Sequence, residues 1–226
     1  MRTLCCAAAL LICFGGLSEA RAQNILANPT FEFCTGTDGQ GQVHPGQTNL
    51  TGWSIAGGPV QWITGGPHYN GLSGQDGGNG WVDLTGANDY SKATISQSVT
   101  LNPGDIYEIS VWLCQSSWYN RGNPASIRVK VDGFDQTYVY SIPQFGYGDS
   151  RFPDQWQNFT ATFTAASSSA VFSVEGISAD QYIGVDNLSL INKSAPSNPV
   201  PEPGPAALAA GSGMMFLAAA IRRRRA

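Results

Sequence analysis

TISQSVTLNPGDIYEISVWL, Thr94 to Leu113, places two alternating runs on either side of a turn signal. Before the turn, the odd positions are mainly apolar (Ile95, Val99, Leu101) and the even ones are polar. After Asn102-Pro103-Gly104-Asp105, the residues Tyr107, Ile109, Val111 and Leu113 fall on one face of a second strand. A period of two sets one face of each strand against a core and the other toward water.

The same pattern recurs downstream. Ile127, Val129 and Val131 alternate with Arg128 and Lys130, and Phe159, Ala161 and Phe163 alternate with threonines. Val171-Phe172-Ser173-Val174 and the run from Tyr182 to Leu190 supply two more strands. No segment of the body shows a helical period. Short strands without helices to cover both faces imply an all-β antiparallel sandwich rather than a parallel sheet. The body, Gln23 to Lys193, has the length of one domain. Two long polar loops, Gly65–Gly80 and Phe145–Pro153, are where binding residues are expected, since loops on a rigid scaffold carry function. Residues 194–199 read as a short polar linker bearing proline.

The two ends read as addresses. Arg2, the apolar run Leu4–Phe14 and Ala20-Arg21-Ala22 before Gln23 have the three-part layout of a secretory signal peptide, residues 1–22, cleaved between Ala22 and Gln23. At the other end, residues 204–221 are uncharged and just long enough to cross a bilayer, and Arg222–Arg225 follow. Those arginines stay cytoplasmic, which leaves the body on the exported side. The physics alone permits a retained membrane anchor.

Charge and cysteine usage narrow the partners. Of 12 Lys and Arg, six lie in the terminal segments, as do two of 16 Asp and Glu, so the body is near −8. It has no basic patch to release counterions from a phosphate backbone, so nucleic acid is a poor partner. Neutral sugars, or a cation bridging to acidic ones, suit it better. Only Cys34 and Cys114 remain in the body, and in an oxidising compartment they most simply form one disulfide. The alternative is a pair of buried thiols.

Catalytic signatures are absent from the sequence. Its two histidines, His44 and His68, lie in polar Gly/Pro-rich segments, and there is no Gly-x-Ser-x-Gly elbow or His-Glu-x-x-His spacing. Carboxylate pairs for glycoside cleavage meet only in space, and nothing here singles one out. The chain therefore reads as a non-enzyme. Sugar binding would use aromatic faces, on which pyranose C–H faces stack. Candidates are Trp62, Tyr69 and Trp81 around the first long loop, with Trp118 and Tyr119 past a strand end, and Asn70, Asp76, Asn120 and Arg121 for polar contacts. Trp53, Trp112 and Trp156 are assigned to core or sheet packing.

Two resemblances add to this reading. Val200-Pro201-Glu202-Pro203, the weak apolar helix 204–221 and the basic end 222–225 resemble the PEP-CTERM sorting signal of Gram-negative bacteria. That resemblance implies recognition and removal of the tail, residues 200–226, by an exosortase, with membrane contact before processing. The expected destination is the cell surface or exopolysaccharide matrix.

Within the body, Asn24–Glu32, Gly52-Trp53, Gly80–Leu84, Ile95–Val99, Trp156–Phe159 and Ile183–Leu190 occur in an order that resembles the choice-of-anchor C proteins. It equally resembles the plant cell-wall family sharing their domain of unknown function 642, and is more distantly similar to galactose-binding-like jelly-roll carbohydrate-binding modules. These families often carry a second such domain, and only one fits here. The resemblance implies a jelly-roll sandwich over residues 23–193 and a surface or matrix polysaccharide as partner. It also implies a structural Ca²⁺ held by Glu32 and Asp186, hard oxygen ligands of the kind calcium prefers. Alternation puts Asp186 on the inward face with Leu188 and Leu190, where a buried carboxylate needs a partner. The plainer reading is that Asp186 accepts backbone N–H bonds at a bulge and Glu32 is solvated. The expected function is non-catalytic carbohydrate binding. The rivals are a structural matrix protein without a defined ligand and a glycan hydrolase.

Overall fold

The computed structural model describes residues 23–64, 75, 78, 80–86, 91–115, 124–141, 156–177 and 183–194, which lie in the compact unit Ala22–Ala195. Eleven strands occur among them: β1 (Gln42–Val43), β2 (Ser54–Gly57), β3 (Val60–Thr64), β4 (Gly80–Asp83), β5 (Ala93–Thr100) and β6 (Ile106–Gln115). They continue with β7 (Ser126–Val131), β8 (Phe134–Val139), β9 (Gln157–Thr164), β10 (Ser169–Gly176) and β11 (Ile183–Asn192). They form a six-stranded sheet, β1-β3-β4-β11-β6-β9, and a five-stranded sheet, β2-β5-β10-β7-β8. Every neighbouring pair is antiparallel. The all-β sandwich expected from the alternating runs is present.

The two strands of residues 94–113 separate into opposite sheets. The turn between β5 and β6 is held by Gly104 at φ 89° and by the Asn102 N–H, which donates to the Tyr107 hydroxyl at 2.9 Å. β5 contributes Ile95 and Val99 to the core, and β6 contributes Tyr107, Ile109, Val111 and Leu113, all buried. Which side of the six-stranded sheet faces its partner is set by ring contacts. Phe159 of β9 lies 4.9 Å from Tyr138 of β8, and Phe163 lies 6.0 Å from Phe134. Phe159 pairs across the ladder with Val111, so Val111 and its same-parity neighbours face the core. Each fully buried side chain of this kind stabilises the sandwich by about 1.5–3 kcal/mol.

Two local devices set the register. The β7–β8 hairpin turns at Asp132 (φ 46°) and Gly133 (φ 84°), the two positive angles of a tight primed turn. The Asp132 carboxylate then accepts the Ser167 hydroxyl and the Ser167 and Ala166 N–H groups, tying this hairpin to the β9–β10 turn. The second device is a bulge in β11. Asp186 pairs with Trp112, but Ser189 pairs with Ser110, and Asn187 between them sits at φ 44°.

That bulge corrects the expectation for Asp186. Leu190 pairs with Ile109, which faces the core, whereas Asp186 pairs with Trp112, three residues further along β6. Odd spacing means opposite faces, so Asp186 lies on the outer side of the sheet and not with Leu188 and Leu190.

No helix among the described residues is long and apolar enough to cross a membrane. The signal segment up to Ala22, the Val200-Pro201-Glu202-Pro203 motif and the apolar run 204–221 lie outside the described residues.

Candidate functional site

The cross-strand register places a mixed aromatic and polar set on the outer face of the six-stranded sheet. Cys114 pairs with Gly184, Gly184 with Asp83, Asp83 with Gln61, and Gln61 with Gln42, so these side chains form one row across β6, β11, β4, β3 and β1. Trp81, two residues before Asp83, and Trp112, two before Cys114, share that face. So does Trp156, which precedes β9: Gln157 pairs with core-facing Leu113, so its predecessor points outward. Trp81 and Trp156 meet edge to face with ring centroids 5.9 Å apart. Gly184 lets the Trp81 ring lie close to the sheet, since an added Cβ would stand 2.4 Å from Cys114 Sγ and 3.1 Å from the ring.

Burial on this face is graded. Trp81, Asp83, Cys114 and Asp186 are fully buried, while Trp112 and Trp156 are partly exposed and Asn158, paired with Trp112, is exposed. Two carboxylates buried on an outer face must be satisfied. Asp83 accepts the Thr85 N–H and hydroxyl, both at 2.9 Å, and the Ile183 N–H at 3.0 Å. Asp186 accepts the Gln75 N–H at 2.6 Å and the Asn187 N–H at 2.7 Å, and the Asn187 amide donates to the Gln75 side chain at 2.7 Å. Gln75, which lies outside every strand, therefore sits over this face.

The expected sugar-contacting residues fare differently. Trp81 is 1% exposed and packs against Trp156, so it is not a surface platform. Trp62 pairs with Val82 and lies on the core-facing side, half-buried, its indole N–H donating to the Phe31 carbonyl at 2.8 Å. Tyr69, Asn70, Asp76, Trp118, Tyr119, Asn120 and Arg121 lie outside the described residues. Trp53 is the core residue expected, in ring contact with Phe31 and Phe172. Trp112 and Trp156, assigned to core or sheet packing, are both partly exposed on the outer face, where Trp156 does pack, against Trp81. Their parity was the available signal: Trp112 alternates with Val111 and Leu113, which belong to the core.

Residues 24–188 match a family described as a protein of unknown function, DUF642. The chain belongs to that family. No curated protein matches this DUF642 chain. Among solved structures it is similar to TmCBM61 in complex with β-1,4-galactotriose (TM-score 0.47, 18% identity, covering 76% of this chain and 100% of that one). It is also similar to a CBM4 structure (TM-score 0.41, 20% identity, 74% and 99%) and to the CBM22-1 xylan-binding domain of Paenibacillus barcinonensis Xyn10C (TM-score 0.41, 16% identity, 76% and 95%).

The DUF642 domain does not contain the expected Cys34–Cys114 bridge; both residues are thiols. Cys34 sits opposite Leu50 in an isolated bridge with its sulfur 3.4 Å from the Gly36 carbonyl, while Cys114 lies in the sheet opposite Gly184. For calcium, Glu32 and Asp186 offer the right donor chemistry, and both engage one stretch of chain: Glu32 accepts the Gly80 N–H at 2.9 Å, as Asp186 accepts that of Gln75. Among the described residues no group of three or more His, Cys, Asp or Glu could hold a metal.

Proposed function

We propose that this DUF642 protein is a non-catalytic carbohydrate-binding protein of the cell surface or its polysaccharide matrix. One observation carries the reading: Trp112 lies partly exposed on the outer face of the six-stranded sheet, beside the packed Trp81–Trp156 pair and among buried carboxylates and amides. Trp156 is partly exposed too, but Trp112 is the one bordered by Asn158 and Asp186. An aromatic face for C–H stacking beside fixed polar groups for hydroxyls is the chemistry a neutral glycan needs. The negative charge of the body favours an uncharged sugar.

The test is retention of the full chain by soluble polysaccharides, β-1,4-galactan and xylan among them, beside a Trp112→Ala variant of unchanged far-UV circular dichroism. Saturable binding lost in the variant is the expected result. A folded protein that binds no glycan would overturn it in favour of the structural matrix component.

The localisation belongs to the same proposal. The signal peptide exports the chain, and an exosortase reads Val200-Pro201-Glu202-Pro203 and removes the tail. Mass spectrometry of the surface-released protein is expected to find a C-terminus near residue 203; an intact Arg222–Arg225 end would show a retained anchor. Calcium at Glu32 and Asp186 would act as a structural support, and chelation is then expected to lower the melting midpoint. An unchanged midpoint would remove calcium from the proposal.

A further inference from the structure

Phe31 and Phe33 have the same parity in sequence and opposite fates. Phe31 is fully buried, its ring 5.5 Å from Trp53, whereas Phe33 is 67% exposed. The backbone explains the split. Asn28 lies at φ 45° and Phe31 at φ 54°, a left-handed conformation that a bulky residue rarely adopts and keeps only when its surroundings impose it.

The surroundings here do impose it. The Trp53 indole N–H donates to the Asn28 carbonyl at 3.0 Å, that of Trp62 to the Phe31 carbonyl at 2.8 Å, and the Leu188 N–H to the Pro29 carbonyl at 2.9 Å. The Asn28 amide then closes the loop on itself, donating to the Phe33 and Thr51 carbonyls at 2.9 and 3.0 Å and accepting the Phe33 N–H at 3.2 Å. Phe33 is held on both sides of its own peptide unit, so its ring projects from fixed backbone.

Its neighbours are polar. Cys34 and Leu50 form an antiparallel bridge that packs toward the core, flanked by hydrogen bonds from Thr51 to Phe33 (3.1 Å) and from Thr35 to Asn49 (2.9 Å). That register puts Phe33, Thr35, Asn49 and Thr51 on the opposite, outward side. A protein partner needs on the order of 800 Å² per side with several apolar anchors. One ring bordered by two threonines matches something smaller: a pyranose, with one C–H face to stack and a rim of hydroxyls to bond. We infer that Phe33 is a pre-organised stacking platform for a pyranose ring, with Thr35 and Thr51 beside it, additional to the tryptophan face. This rests on the carbohydrate-binding reading above. Pre-organisation is the functional return on the strained loop, because no loop entropy is lost on binding.

The experiment is affinity electrophoresis of the full chain in soluble β-1,4-galactan, xylan and dextran, comparing wild type with Phe33→Leu, Phe33→Trp and Trp112→Ala. Phe33→Leu keeps apolar bulk but removes the ring, and is expected to weaken binding about tenfold at an unchanged melting midpoint, the size of one aromatic contact. Phe33→Trp is expected to retain binding. Wild-type affinity in Phe33→Leu, with binding lost in Trp112→Ala, would overturn the Phe33 platform and leave the carbohydrate reading standing. Loss of binding in both Phe33→Leu and Phe33→Trp would also overturn it, since a stacking role tolerates the larger ring. A wild-type chain retarded by none of the three would overturn both.

Discussion

On the outer face of the five-stranded sheet, Arg128 pairs with Asp135 and Lys130 with Glu175, each side chain exposed by a third or more, among Ser96, Ser173 and Thr137. On the outer face of the six-stranded sheet, Asp83 and Asp186 are fully buried and three tryptophans lie beside them. Both faces point away from the core. On the first, charge remains in water and is screened, so it adds little to stability. On the second, charge is desolvated and must be held by named donors. An outer face that costs so much to build is the one to search for function.

Substitutions can break this contrast in order of size. Trp81→Ala removes a fully buried indole from the outer face and is expected to destabilise by about 3–5 kcal/mol in urea unfolding. A loss below about 1 kcal/mol would mean the face is not packed as described. Asp186→Ala leaves the Gln75 and Asn187 N–H groups without their carboxylate and is expected to cost about 1–3 kcal/mol, read in the same way. Gly184→Ala forces a methyl against Cys114 and the Trp81 ring, at about 1–3 kcal/mol.

The remaining two effects are smaller and sharpen the other side of the comparison. The Ser167 hydroxyl, followed by the Ser167 and Ala166 N–H groups, holds the Asp132 carboxyl below the usual carboxylate range. A lowered folded-state value stabilises above the ordinary pKa and is lost as pH falls through the lowered one. The wild-type melting midpoint should therefore drop more steeply below about pH 4 than that of Asp132→Asn. Arg128→Ala, on the solvated face, is expected to leave the midpoint unchanged; a clear drop there would erase the distinction between the faces.

The strands from β5 to β10, apart from β8, were legible because each keeps a wetter face, so alternation survives in the residues, as it does in the second half of β11. β1 and β4 show no such pattern because they are buried on both sides, Gln42–Val43 and Gly80–Asp83 alike. A strand without a wet face cannot advertise its period. The site was less legible for a different reason. Parity assigns Asp186 to the core and gives Phe31 and Phe33 one fate, and in both places a single residue with positive φ, Asn187 or Phe31, reverses what parity implies. The Asp186-Asn187 and Asn28-Pro29 pairs are the only local hints, since Asn tolerates the left-handed region and Pro marks a turn.

The clasp at residues 24–33 also has a history in time. Asn24 bonds Leu188 and Leu190 across 164 and 166 residues, and Pro29 accepts from Leu188. Trp53, just before β2 of one sheet, and Trp62, in β3 of the other, both donate into it. The segment made first is thus completed last, once β11 has been synthesised and closed across the sheet. Until then the turn lacks its hydrogen bonds to β11, and the sandwich lacks its fastening. A chain made N-terminus first must therefore wait for nearly the whole of this domain before this knot can be tied.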